Sequence, residues 1–277
     1  MEITYSEFKP SPELAPYVEC YWLQTHDGTP GEESPVQCCL PLGMLEVLIH
    51  PDDTLSDIFH EGRWQQLPRA FFHGLYNNPV HWKIKANARL FGIRFKPETF
   101  ARLFSIRGAS VFCKFVDLQE ILGESIKAFP ESIYGDPDIE SIVQKTNRFL
   151  SQKLTCMHGE RNYLAEAASL IRNAKGNITI EEVSNTVSVG MRQLQRSFKD
   201  SMGTTPKGYL RIIRFRNALA SLNDSYELAE LAYELGYADQ AHFIREFKEF
   251  AGQAPRGVIR NAMSYNKKPL NLQKTKT

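Results

Sequence analysis

The spacing of apolar and polar positions changes character once along this chain of 277 residues. Up to residue 97 the apolar positions form short runs rich in β-branched and aromatic residues, at 17–23, 45–49, 70–75, 80–85 and 89–95. Asp27-Gly28, Pro51-Asp52-Asp53, Gly62 and Asn77-Asn78-Pro79 punctuate them. Such runs between turn residues predict strands of a small sandwich or barrel. From Pro97 the period lengthens. Phe100, Leu103 and Phe104 stand three and four apart behind a proline suited to a first helical turn, and 116–129 and 137–154 continue the helical spacing. The amphipathic run ends near Leu154, and a boundary is expected near 158. The expected domains are 1–158 (β-rich, with following helices), 159–262 (all-α) and a basic, disordered tail at 263–277.

The last third contains a self-similarity. Leu194-x-Arg196-x-Phe198-Lys199 with Gly203 and Pro206 recurs 49 residues later as Phe243-x-Arg245-x-Phe247-Lys248 with Gly252 and Pro255. Upstream, Val183-Ser184 corresponds to Leu231-Ala232 at an offset of 48, so the second copy has one extra residue in its bend. Each copy reads as a first helix (179–186, 227–234), a tight bend and a second helix (190–201, 239–250), which is helix-turn-helix spacing. Gly203 and Gly252 fall where helices end in a left-handed residue, and Thr205-Pro206 supplies a cap and first-turn proline for a connecting helix over 206–222. At 1.5 Å per residue that connector is roughly 25 Å long, compatible with two reading helices in successive major grooves about 34 Å apart.

In each second helix the apolar pair must face inward, Leu194 with Phe198 and Phe243 with Phe247, which fixes the outward face. In the first copy that face carries Arg192, Gln195, Arg196 and Lys199, side chains able to pair with guanine, adenine and phosphate. A solvated charged face has the same composition; its repetition inside a two-helix unit favours DNA.

The two units, with the segment Glu230-Leu-Ala-Tyr-Glu-Leu-Gly-Tyr-Ala-Asp-Gln-Ala-His-Phe-Ile-Arg-Glu-Phe-Lys248, resemble the DNA-binding domain of the AraC/XylS family of bacterial transcription regulators over about 165–260. The resemblance implies base contacts from Arg192, Gln193, Gln195 and Arg196 in the first unit and from Gln240, Ala241, His242, Ile244 and Arg245 in the second, with Lys199 and Lys248 on phosphates. It also implies activation through RNA polymerase. Where the family often has Ser, this chain has Gly190. Arg192 and Gln195 correspond to Ala241 and Ile244, which can at best touch a thymine methyl. Phe91-Gly-Ile-Arg-Phe-Lys-Pro97 and Leu14-Ala-Pro-Tyr-Val-Glu-Cys-Tyr-Trp22 look like the poorly characterised N-terminal module of some AraC-type regulators, which implies sensing by analogy only.

Charge refines this picture. Residues 1–160 hold 15 Lys+Arg against 21 Asp+Glu and residues 161–277 hold 18 against 11, so a formal net charge of +1 conceals an acidic and a basic half. The repeat itself (177–260) is nearly neutral, at 11 against 10, and Lys267, Lys268, Lys274 and Lys276 lie in the tail. Placement of cations on one helix face, not bulk charge, is therefore the candidate instrument. The five cysteines (Cys20, Cys38, Cys39, Cys113, Cys156) lack C-x-x-C spacing, and the N-terminal stretch does not read as a secretory signal, so reduced thiols in a cytoplasm are expected. The histidines show no H-x-H or H-E-x-x-H pattern, so no metal and no cofactor is expected.

The fold expected is therefore α+β: a sandwich- or barrel-like N-terminal domain with following helices, then two helix-turn-helix units on a linker helix. The function expected is sequence-specific binding of double-stranded DNA for transcription regulation, as a non-enzyme. A small-molecule effector and a second copy of the chain are further candidate partners; a membrane is not. Phe71, Phe72, Tyr76 and Trp82 are candidates for lining an apolar effector pocket, with Arg94 to anchor an anion, against the reading of a packed aromatic core. The competing function is a redox-responsive or enzymatic N-terminal domain localised by the DNA-binding part.

Overall fold

The computed structural model describes residues 1–155, 163–222 and 227–260. The expected boundary near 158 and the tail at 263–277 lie outside the described residues. Ten strands come first: β1 (Glu2–Phe8), β2 (Val18–Asp27), β3 (Gln37–Cys39), β4 (Leu45–Ile49), β5 (Asp57–His60), β6 (Arg63–Gln66), β7 (Ala70–His73), β8 (Val80–Lys83), β9 (Ala88–Phe95) and, after two helices, β10 (Phe115–Asp117). They form two antiparallel sheets, ordered β1-β2-β9-β4-β7-β10 and β3-β8-β5-β6. The helices are α1 (Pro97–Phe104), α2 (Gly108–Val111), α3 (Leu118–Leu122), α4 (Ala128–Ile133), α5 (Ile139–Thr155), α6 (Tyr163–Asn173), α7 (Ile180–Thr186), α8 (Met191–Met202), α9 (Pro206–Ser221), α10 (Leu228–Glu234), α11 (Gln240–Ala251) and α12 (Pro255–Arg260). The α+β architecture is as the periodicity predicts.

The larger sheet is buried on both faces, which is why its central strands read as nearly unbroken apolar runs. Side chains alternate across a strand. Tyr21, Val47, Phe72, Ile93 and Phe95 therefore point to one core, under α1, α4 and α5, while Trp22, Leu48, Phe71 and Leu90 point to a second core beneath the smaller sheet. Gly92 is required here because the Trp22 indole lies across it where a Cβ would stand.

Three elements depart from the pattern-based expectation. The run 116–129 is not helical from its start: Phe115 and Val116 pair with His73 and Phe72 at the edge of β7 before the helical turns begin. An open sheet edge offers the backbone partners that outweigh local period. Strand β1 escaped notice because it is an edge strand with both faces mostly wet. The β5–β6 hairpin turns through Glu61 (φ 50°) and Gly62 (φ 78°), the left-handed pair that a two-residue hairpin demands. Gly62 marked that turn, while its flanks are too polar to read as strands.

In the C-terminal part, Gly203 (φ 76°) and Gly252 (φ 74°) close α8 and α11 in the left-handed conformation, and the Thr205 hydroxyl accepts from the Gly208 amide to start α9. Leu194, Phe198, Phe243 and Phe247 are fully buried.

The N-terminal part presses against both units. The Gly108 turn meets the backbone of Ser201 in α8 closely enough to exclude a Cβ, and Arg107 pairs with Asp200 at 2.7 Å. Glu98 of α1, 2% exposed, pairs with Arg172 of α6 at 2.5 Å, and Arg172 also donates to the Tyr209 hydroxyl of α9 at 3.0 Å. Cys38 and Leu40 share a core with Ile212, Phe215 and Phe250.

Candidate nucleic-acid interface and internal cavity

The two second helices are positioned by their buried sides. On α8, the Ser197 hydroxyl lies 2.6 Å from the Tyr163 hydroxyl of α6. The corresponding position on α11 is Glu246, 6% exposed, which accepts from Arg211 Nε of α9 at 2.7 Å and from the Tyr237 hydroxyl at 3.0 Å; Arg211 also reaches Glu249 at 2.5 Å. Arg211 thus clamps the linker helix to α11. Arg214 likewise donates to the Gly176 carbonyl, and Arg216 faces Glu19 at 3.8 Å. Local spacing carries no trace of these long-range pairs, and none was legible.

With those sides fixed, Arg192, Gln193, Gln195 and Arg196 are exposed on α8, and Gln240, Ala241, Arg245 and Lys248 on α11. Neither Arg192 nor Arg196 is in an ion pair among the described residues. Gln193 reaches the Tyr163 hydroxyl at 3.4 Å. Lys199 folds back, its Nζ donating to the Gly203 carbonyl at 3.2 Å and lying 5.8 Å from the centre of the Phe112 ring. Ile244 is half-buried against the core of the second helix-turn-helix unit, and His242 sets its ring edge-on to Tyr237 at 5.3 Å. The helix starts differ. The Asp239 carboxylate caps α11 through the His242 amide at 2.7 Å, whereas Gly190 caps α8 with no side chain.

A second feature is an enclosed space of about 80 Å³ between the sheets. Tyr76, Trp82 and Arg94 stand on its wall. Phe72 does not: it points to the opposite face of β7, against Phe100 (4.8 Å) and Phe104 (5.6 Å), and its neighbour Phe71 faces the cavity. Pleat parity decides between them. Arg94 is not available as an anion anchor either, because Glu46 takes its Nε at 2.9 Å and Glu7 its Nη1 at 3.3 Å. Glu46 accepts from the Trp22 indole as well, at 3.0 Å. His73 is sandwiched between Tyr76 (4.2 Å) and Phe115 (4.3 Å), and burial lowers its pKa to about 4, so the ring is neutral.

The adjacent cysteines lend the competing redox reading little support. Burial pushes the Cys38 and Cys39 thiols up to about 12, so neither supplies thiolate near neutral pH; Cys156 lies outside the described residues. Among the described residues no group of three His, Cys, Asp or Glu side chains is placed to hold a metal, and no helix is long and apolar enough to cross a membrane.

Residues 183–261 match the family described as a helix-turn-helix domain, and residues 6–116 match a domain of unknown function (DUF6597). The probable thc operon regulatory protein of Rhodococcus erythropolis is 33% identical over 92 residues, covering 32% of this chain and 28% of that protein. The XylDLEGF operon transcriptional activator of Pseudomonas putida is 28% identical over 92 residues, covering 32% and 29%. The transcriptional activator RhaS of Escherichia fergusonii is 24% identical over 140 residues, covering 46% and 50%. The chain thus spans half or less of the length of these relatives. Among solved structures, ToxT from Vibrio cholerae aligns over 94% of this chain and 98% of its own at 9% identity, with a TM-score of 0.45.

Proposed function

Since the chain carries an AraC-type helix-turn-helix domain behind a DUF6597 module, we propose that it is a transcription activator whose two units read adjacent major-groove segments of one duplex site, under the control of a small molecule in the N-terminal part. The observation that supports this most is the pair of outward helix faces. Each unit spends its inward residues on packing and leaves Arg192, Gln195 and Arg196, or Gln240 and Arg245, exposed, with Arg196 and Arg245 at equivalent positions.

The discrimination is unequal between the units. Arg192 and Gln195 can make two-pronged hydrogen bonds to a purine edge, each such pair discriminating by about 1–3 kcal/mol. Ala241 and the half-buried Ile244 cannot, so the second unit anchors through Arg245 and Lys248. A competition gel shift at fixed salt, with duplexes selected from a random pool, tests the reading: specific competitor displaces the chain and random DNA does not. In the same selection Arg192→Ala relaxes the consensus while Ile244→Ala leaves it nearly intact. Equal relaxation by both variants contradicts the asymmetry, and affinity that tracks salt but not sequence contradicts specific reading altogether.

A further inference from the structure

The cavity between the sheets contains polar groups that the chain does not fully satisfy. Trp82 and His73 are on its wall, 7% and 5% exposed as residues; the buried His73 Nε2 has no hydrogen-bond partner, and the buried Trp82 indole N–H meets nothing better than the Cys39 sulfur, a weak acceptor. A buried polar atom left unpaired is costly, and an incoming partner recovers that cost. Most of the remaining wall is apolar or aromatic, with Trp22, Phe71, Tyr76 and Phe115 among its members, and Gln24, Glu46, Ser56 and Arg94 are its other polar residues.

Charge and size narrow the occupant. Arg94 is the one lysine or arginine on the wall, and it already faces Glu46 and Glu7; Glu46 is in turn occupied by Arg94 and Trp22. An anion would meet two carboxylates beside the one guanidinium, and a cation would meet that guanidinium at the carboxylate it needs. The space of about 80 Å³ is smaller than the roughly 150 Å³ apolar cavity known to admit benzene, so a single ring enters with side-chain adjustment and a second ring has no room.

One wall of the cavity is also a wall of the DNA-binding part. Cys38, Leu40 and Leu42 line the space and belong to the core that holds Ile212, Phe215 and Phe250. The Leu40 carbonyl accepts from the Tyr76 hydroxyl at 2.9 Å. Three residues on, Gly43 adopts φ 70°, and a Cβ there would stand 2.9 Å from Ile213 Cδ1 and 3.2 Å from Ile212 Cγ2 of the linker helix. A ring that moves Tyr76 or Leu40 moves the segment on which α9 is seated.

Resting on the reading of the chain as an effector-controlled regulator, we propose that this cavity takes an uncharged single-ring aromatic molecule bearing a hydroxyl or carbonyl oxygen, held by Trp82 and His73. Segment 38–43 passes its occupancy to the linker helix and the second helix-turn-helix unit.

The test titrates the full chain with phenol, toluene and benzoate by calorimetry. Phenol binds about tenfold tighter than toluene, which lacks the oxygen, and than benzoate, which adds the charge. Trp82→Phe and His73→Phe each shrink the phenol-to-toluene ratio to about twofold or less. Binding of none of the three, a preference for toluene or benzoate, or an unchanged ratio in both variants overturns the ligand class.

For the route, a gel shift on the selected duplex is run with and without saturating phenol. The apparent Kd of the wild type changes about fivefold or more. The change is lost in Gly43→Ala, which crowds α9 from outside the cavity wall, and in Ile213→Val, which relieves the same contact. Phenol affinity stays within about twofold of wild type in at least one of them, which shows that variant to be folded. A wild-type Kd indifferent to phenol, or a full response in a variant that binds phenol, overturns the route. A chain that binds phenol yet selects no duplex instead overturns the DNA-regulator reading and leaves the ligand class standing.

Discussion

The residues that matter most for stability against acid are three histidines that make no surface contact of note. His26 and His50 are fully buried and His73 nearly so, and burial lowers the pKa of each to about 4. An unfolded imidazole titrates near ~6.5. Between these values the unfolded chain holds protons that the folded chain refuses, so stability rises with pH through that window. It is complete above about pH 6.5 and falls toward pH 4, by up to ~1.4 kcal/mol per pH unit for each ring. The urea midpoint is expected to be level from pH 8 to 7 and to drop steadily from 6.5 to 4.5, with His26→Phe removing about a third of the slope. A midpoint that stays level to pH 4.5 contradicts this. At this scale the exposed residues of α8 and α11 were legible, because an apolar pair at i and i+4 fixes the opposite face of a helix. The cavity residues were half legible: Tyr76, Trp82 and Arg94 came from composition, but only strand parity separates Phe71 from Phe72.

Elements came through the sequence in proportion to their amphipathicity. Helices α8 and α11 fall within a residue or so of their predicted bounds because buried pairs, left-handed glycines and first-turn prolines all agree. Strands β1, β5 and β6, mostly wet on both faces, left no such agreement. The element scale also separates the two recognition helices. Asp239 closes the first turn of α11 with a hydrogen bond from the His242 amide, while Gly190 offers α8 none. Replacing Asp239 by Ala is expected to cost about 1 kcal/mol, and replacing Gly190 by Ala only a few tenths. Chemical unfolding of the two variants checks the difference, and equal losses contradict it.

For the molecule as a whole, the decisive contacts are those that seat the sheets on the helix-turn-helix units. The Glu98–Arg172 pair sits at the centre of that contact, with Glu98 2% exposed and the Tyr209 hydroxyl completing the arginine's hydrogen bonds. Glu98→Gln leaves a guanidinium without its counter-charge and is expected to destabilise by about 3–5 kcal/mol. Urea unfolding monitored by tryptophan fluorescence reads the loss; a change below about 1 kcal/mol contradicts the importance assigned to the pair. Arg211, between Glu246 and Glu249, does the corresponding work inside the second unit.

By itself the sequence determined the two helix-turn-helix units, the face each turns outward and the unequal composition of those faces, because helical period, caps and an internal repeat are all local and mutually reinforcing. Only the tertiary structure decided which cations are spent on packing, which aromatic residues enclose the cavity, and that segment 38–43 serves the cavity and the DNA-binding part at once. Those outcomes depend on sheet parity and on ion pairs between residues far apart in the chain, such as Glu98 and Arg172, 74 positions apart, and no local spacing encodes them.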